Sequence, residues 1–236
     1  VCLKDFAGNS ILVSDQIILD TQLPSAEISL IQDPNASAGY SLSTDPQFMI
    51  ERDSSDVTEY ALFVSGQYSC QNAIYTLFPN HNDDGDNNPN TIIASITLNP
   101  GIQLVQVCLK DQAGQTGQAT TSVIVDDISP IVISASLISS NYYLDSPVTV
   151  PIAVNCLDDQ SQSSELNVNI KDESGNGLYV GPYTSVITVN LPISEGESSI
   201  EVTCTDSVGL ISEIATIDYF LDTTPPQALL NTVTIN

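Results

Sequence analysis

The side chains able to do chemistry in this 236-residue chain are carboxylates and cysteines. There are 29 Asp plus Glu, 5 Cys, a single His and only 4 Lys plus Arg, so the formal charge is −25. Gathered carboxylates suit Ca2+ best among the common ions, because it takes six to eight oxygen ligands in flexible geometry. Three groups invite that reading. The first combines Asp20, Asp126, Asp127 and Asp222, in Pro-bearing linkers, with Asp5, Asp111 and Asp206, in Gly-containing turns expected to face the following domain. A second is Asp83, Asp84 and Asp86 in the polar loop 80–88, which spaces oxygens ahead of Gly85 as a calcium loop does. Thr91 stands at its twelfth position, where such a loop carries a bidentate Glu. The third and smallest is Asp158-Asp159 with Ser161. The competing reading for each is a solvated turn Asp bonding its own backbone.

Other chemistries lack parts. His81 has no second His to share a zinc ion with, and no Ser-His-Asp or Cys-His arrangement can be assembled around it. No Gly-rich phosphate cradle occurs. We expect no enzyme activity. Four dispersed cations (Lys4, Arg52, Lys110 and Lys171) cannot form the basic footprint that a nucleic acid or an anionic membrane requires. No apolar run reaches the roughly 18–20 residues of a membrane span, so no membrane insertion is expected in this segment. With 42% hydrophobic and 14% charged residues, the chain can bury a core and is no acidic disordered tail.

The carboxylates recur in a pattern. Residues 1–9 read VCLKDFAGN, residues 107–115 VCLKDQAGQ and residues 202–209 VTCTDSVG. Each Asp (Asp5, Asp111, Asp206) precedes a Gly by three, and each segment is followed by Asp-x-x-x-Pro: DTQLP at 20–24, DDISP at 126–130, DTTPP at 222–226. The first Asp precedes the second by 15, 15 and 16 residues, and the copies are 106 and 95 residues apart. A period near 100 residues is that of a whole domain. Two complete domains are expected, 23–128 and 129–224. Residues 1–22 read as the closing strands of a preceding domain and 225–236 as the opening strand of a following one.

Both domains should be all-β. Short Val-, Ile-, Thr- and Tyr-rich runs, several alternating apolar with polar, are separated by Gly, Asn, Asp, Ser or Pro. They include 26–31, 47–51, 59–66, 73–78, 91–98, 102–109 and 120–125 in the first domain. In the second they include 148–156, 165–170, 185–191, 198–204 and 212–221. Six or seven strands per domain predict antiparallel sandwiches. The Asp-x-x-Gly segment then joins the last two strands, and the short Pro-bearing linkers make the array an extended rod.

Cys-x-x-Asp-x-x-Gly-Asn followed by Asp-Thr-x-x-Pro resembles the closing strands of bacterial immunoglobulin-like domains in very large surface adhesins, and also hyalin-type repeats. Gln115 and Leu210 depart from the pattern where Asn9 keeps it, and Ile128-Ser129 replace the Thr-rich linker. The resemblance implies tandem immunoglobulin-like sandwiches that act as spacers, with calcium stiffening their junctions in several such families. Pairing one bridge per domain joins Cys70 to Cys108 and Cys156 to Cys204, leaving Cys2 without a partner; the alternative is five free thiols. Cys108 precedes its Asp by three residues and Cys204 by two, which places them on opposite strand faces. Cys156–Cys204 should therefore cross the core and Cys70–Cys108 lie outside it.

The expected role is a structural stalk of a long extracellular, cell-surface adhesin-like protein. Its partners would be neighbouring immunoglobulin-like domains of the same or an adjacent chain, with any surface or matrix ligand held by another region. One alternative is a subunit of an extracellular filament or surface layer built by strand complementation. Another is a non-catalytic module of a secreted enzyme.

Overall fold

The computed structural model describes residues 2–12, 14, 19–79, 88–138, 143–144, 149–192 and 195–227. Asp83, Asp84, Asp86 and His81 lie outside them. Among the described residues every regular element is a strand. Alternation sets them: in 47–52 Phe48, Ile50 and Arg52 are buried while Gln47, Met49 and Glu51 are exposed, as a period of two demands.

β1 (Cys2–Lys4) and β2 (Ser10–Leu12) form an antiparallel hairpin. Eight strands follow: β3 (Ala26–Leu30), β4 (Tyr40–Ser41), β5 (Gln47–Arg52), β6 (Val57–Val64), β7 (Thr76–Leu77), β8 (Thr91–Ser95), β9 (Gly101–Asp111) and β10 (Thr116–Val125). The last eight are β11 (Ile131–Leu137), β12 (Tyr143–Leu144), β13 (Thr149–Leu157), β14 (Asn167–Asp172), β15 (Gly177–Pro182), β16 (Val186–Asn190), β17 (Gly196–Thr205) and β18 (Ala215–Leu221). The sheets repeat. Orders β3-β5-β8 and β4-β10-β9-β6-β7 become β11-β13-β16 and β12-β18-β17-β14-β15 when eight is added to each label. In both copies a parallel pair joins the short second strand to the last one, at Tyr40↔Ile124 and Tyr143↔Phe220. A three-stranded sheet facing a five-stranded one, with the first chain segment divided between them, is an immunoglobulin-like arrangement.

The chain packs as two compact units, 1–29 with 48–94 and 105–121, and 30–47 with 95–104 and 122–236. In the first, Ile50 and Ile92 meet Val57, Val107 and Leu109 around Phe78. Arg52 is buried beside them, its guanidinium 4.4 Å from the Phe78 ring centroid and donating to the carbonyls of Val57 (2.5 Å) and Pro89 (2.8 Å). Val107 and Leu109 face this core, so Cys108 turns away. It bridges to Cys70 in a separate cluster with Ala61 and Phe63, covered by Ala73 and Tyr75. In the second unit Val150, Ile152, Val154, Ile187 and Val189 of one sheet pack on Val168, Ile170, Ile200, Val202 and Tyr219 of the other. Each such side chain contributes about 1.5–3 kcal/mol on burial. Cys156 and Cys204, both fully buried, bridge β13 to β17 through this core.

Pro24 in the first linker is buried against β10. A methyl group added at Gly117 would lie 1.7 Å from the Pro24 carbonyl oxygen, far inside contact distance. We expect Gly117→Ala to cost about 1–3 kcal/mol, as overpacking does. Denaturant unfolding reads this as a lowered midpoint; an unchanged midpoint would mean that the linker swings clear at no cost.

Candidate metal centre

Two local devices position the acidic side chains. The first is a hairpin loop that recurs four times: Asp5–Asn9, Asp111–Gln115, Asp172–Asn176 and Asp206–Leu210. In each, the Asp N–H donates to the carbonyl four residues on, and the Gly N–H donates back to the Asp carbonyl. The Gly takes φ of 92° (Gly8), 83° (Gly114), 83° (Gly175) and 91° (Gly209), a region open to Gly and strained for other residues. Each Asp carboxylate also accepts the N–H four residues ahead, at 2.8–2.9 Å. The second device is the linker Asp. Asp20, Asp126 and Asp222 each accept the N–H two residues on, from Gln22 (3.0 Å), Ile128 (3.4 Å) and Thr224 (3.0 Å). Both devices are local Asx turns, so the sequence repeat is a repeat of backbone geometry.

Among the described residues one cluster results. Asp126, Asp158 and Asp159 each offer a carboxylate oxygen within 4.8 Å of the others. Asp126 has no exposed surface, and Asp158-Asp159 directly follow β13. Asp206, 4% exposed, belongs to the same field. Burial first, then Asp158, pushes the Asp126 pKa up to about 6 against the restraining Ile128 N–H, with Asp206 and Asp159 adding to the rise. Asp206 is raised too, by burial and then by Asp158, while the N–H groups of Leu210, Val208 and Gly209 oppose the shift. Ser161 ties the parts together: its hydroxyl lies 3.5 Å from Asp126 Oδ2 and accepts the Ser207 N–H at 3.0 Å. Its own N–H donates to Asp158 Oδ2 at 2.6 Å. Asp158 Oδ1 and Asp206 Oδ2 are buried with no hydrogen-bond partner. Lys110 pairs with Glu59 at 2.7 Å, and none of the causes of the Asp126 shift is a Lys or Arg.

The expected residues separate accordingly. Asp126 and Asp206 come together, and Asp206 meets the linker that precedes its sandwich rather than facing the following domain. That corrects the expected direction of the turns, and the reason is connectivity: the loop after β13 and the β17–β18 turn sit at the end where the chain enters. Asp111 follows suit, because Gln115 beside it donates through Nε2 to the carbonyls of Asp20 (3.1 Å) and Gln22 (3.3 Å). Asp20 lines a cavity of about 570 Å³ with Asp53, Asp56 and Gln112. Asp127 is exposed and outside the cluster, Asp222 is exposed, and the Asp5 carboxylate is taken up by Asn9. Asp158 and Asp159, the smallest group in sequence, prove central. Their position directly after the strand that carries Cys156 was the available signal.

Such a cluster can do one thing well. Close carboxylates repel one another, the more so where one of them, Asp126, is buried, and a divalent cation with oxygen preference converts that cost into binding. Asp126, Asp158 and Asp159 could hold a metal ion there, and an all-carboxylate donor set suits Ca2+.

No protein-family model matches the chain, and no curated protein does. Among solved structures the similarity is low. Fibronectin(III)-like modules of Clostridium thermocellum CbhA give a TM-score of 0.44 at 13% identity, covering 87% of this chain and 100% of that one. A 1.5-MDa bacterial ice-binding adhesin gives 0.42 at 15%, covering 87% and 67%. The tetra-tandem repeat in the extending region of a large adhesion protein gives 0.35 at 16%, covering 94% and 55%.

Proposed function

We propose that this chain is a structural region of a long extracellular adhesin-like protein. It would hold two tandem immunoglobulin-like domains, 23–128 and 129–224, that act as a non-catalytic stalk, with Ca2+ fixing the joint at Asp126. The observation that carries the reading is the meeting of a linker carboxylate, Asp126, with Asp158 and Asp159, with no Lys or Arg among the described residues paired to them. A linker residue that shares an ion with the loops of the next sandwich loses its freedom to swing. Two disulfides support an oxidising compartment, hence the cell exterior. No described helix is long and apolar enough to cross a membrane.

The test is a thermal melt paired with small-angle scattering, with calcium and with chelator. Calcium at a hundredfold excess over its Kd should add about 2.7 kcal/mol, a rise of several degrees in Tm. Scattering should report a stiffer, more extended particle. Asp126→Asn with Asp158→Asn should erase both differences. Equal melts and equal scattering with and without chelator would sink the calcium joint.

A further inference from the structure

Asn-Gly occurs once in the chain, at Asn176-Gly177. This pair is chemically unstable in any polypeptide free to turn. The main-chain nitrogen of the second residue attacks the Asn side-chain carbonyl carbon, and Gly, having no Cβ, leaves that approach unhindered. Asn176 is exposed, and a Cβ built at Gly177 would meet nothing within 4 Å, so no neighbouring group walls the pair off.

The turn between β14 and β15 is what restrains it. The Asp172 carboxylate collects three donors: the N–H groups of Ser174 (2.9 Å) and Asn176 (2.8 Å) on Oδ1, and Asn176 Nδ2 (2.8 Å) on Oδ2. The Asp172 N–H donates in turn to the Asn176 carbonyl at 3.0 Å, and Gly175 supplies the positive φ of 83° with which the turn closes. Asn176 is therefore fastened to Asp172 through its N–H, its carbonyl and its side-chain amide. Swinging its Cγ onto the Gly177 nitrogen means giving these bonds up. Asn9 is held by Asp5 through the same two carboxylate bonds, but Ser10 follows it, and a Cβ there hinders the attack.

We propose that Asn176 is a spontaneous modification site kept closed by Asp172: when the β14–β15 turn opens, the Gly177 nitrogen displaces the Asn176 side-chain amide and the residue becomes a carboxylate. The bond from the Gly177 nitrogen to Asn176 Cγ forms, the Cγ–Nδ2 bond breaks, and the Gly177 amide proton leaves with Nδ2 as ammonia. Water then opens the cyclic imide at either carbonyl, giving Asp or isoaspartate, with no change of oxidation state. Both products set a negative charge where an amide had donated to Asp172 Oδ2, and the iso form also lengthens the main chain. The turn then closes poorly on β15, which stands at the sheet edge beside β14. A transient opening thus leaves a lasting change.

The experiment incubates the 236-residue chain, D172A and D172N in mildly alkaline buffer well below their melting midpoints. Peptides spanning 176–177 are then scored by mass spectrometry for Asp and isoaspartate. The same peptides are followed in parent chain kept reduced and unfolded in urea. Folded parent should convert at least about tenfold more slowly than unfolded parent, and D172A should be about tenfold faster than folded parent, because hydrogen bonds to a charged group shift a local opening equilibrium by that much. D172N keeps an oxygen for the Asn176 N–H and loses only the acceptor for Nδ2, so it should fall between parent and D172A; it decides the matter if D172A does not fold. G177A should convert more slowly than parent when both are unfolded, since its Cβ obstructs the attacking nitrogen. Equal rates in folded and unfolded parent overturn the proposal. So do equal rates in parent and the Asp172 variants, or an unfolded G177A as fast as unfolded parent.

Discussion

Replacing Cys156 and Cys204 together with Ala lowers stability by about 4 kcal/mol. The bridge closes a loop of 48 residues, and loop-closure entropy in the unfolded chain gives that figure. Cys70–Cys108 spans 38 residues, so its entropic share is nearly the same, because the dependence on length is logarithmic. The two pairs differ in what surrounds them. Cys156 and Cys204 have no exposed surface and join the two sheets inside the larger core, so Ala there also leaves a void. Cys70 is 8% exposed and its bridge ties down a side cluster. The expected order of destabilisation is therefore C156A/C204A above C70A/C108A, read by urea unfolding under non-reducing conditions. The reverse order would mean that the side cluster, not the inter-sheet core, limits stability.

Calcium and pH should act on the same group in opposite senses. In the metal-free chain the Asp126 pKa, about 6, lies above its ordinary 3.8. Between those values the folded state holds a proton that the unfolded state has lost, so this group's contribution to stability falls as pH rises through the window. Asp206 is shifted upward too and contributes with the same sign. The lowered groups, Asp5 and Asp172, act elsewhere: their stabilisation is present above their unfolded values and fades only as pH falls below them. Calcium needs the ionised carboxylates, so its stabilising effect grows as pH rises past 6. Melts recorded with calcium and with chelator should converge near pH 5 and separate near pH 7. Asp126→Asn should flatten the chelator curve. Two parallel curves across that range would show that calcium does not engage the ionised Asp126.

Much of this was legible because the sequence repeats where the geometry repeats. Asp, Gly and Pro recur at fixed offsets since each solves a local problem: an Asx turn, a positive φ, a buried linker ring. The one-residue slide between Cys108 and Cys204 gave their opposite faces, because strand periodicity is strict. What could not be read was governed by pairing over distance. Gly177–Pro182 is absent from the runs expected as strands, yet β14 recruits it as an edge strand. Residues 73–78 look like a full strand, but only Thr76 and Leu77 pair, with Tyr60 and Glu59. The strand expected at 165–170 begins at Asn167, since Glu165 is spent on a turn with Gln162. The fourth hairpin, at Asp172, went unseen for a different reason: no Asp-x-x-x-Pro linker follows it. The cluster itself needed the fold, because nothing local brings Asp158 to Asp126.

The inter-sheet disulfide has a mechanical consequence. A sandwich pulled from its two ends must first shear the short parallel pair of β12 and β18, held at Leu144↔Leu221 with the Asp222 N–H bonded to the Leu144 carbonyl. Once that pair parts, the chain lengthens only as far as Cys156, and then resumes beyond Cys204. The 48-residue loop between them, worth roughly 160 Å when extended, stays locked out of the stretch. Under tension that loop adds no length, so the bridge caps how far the chain can be drawn out between its two ends.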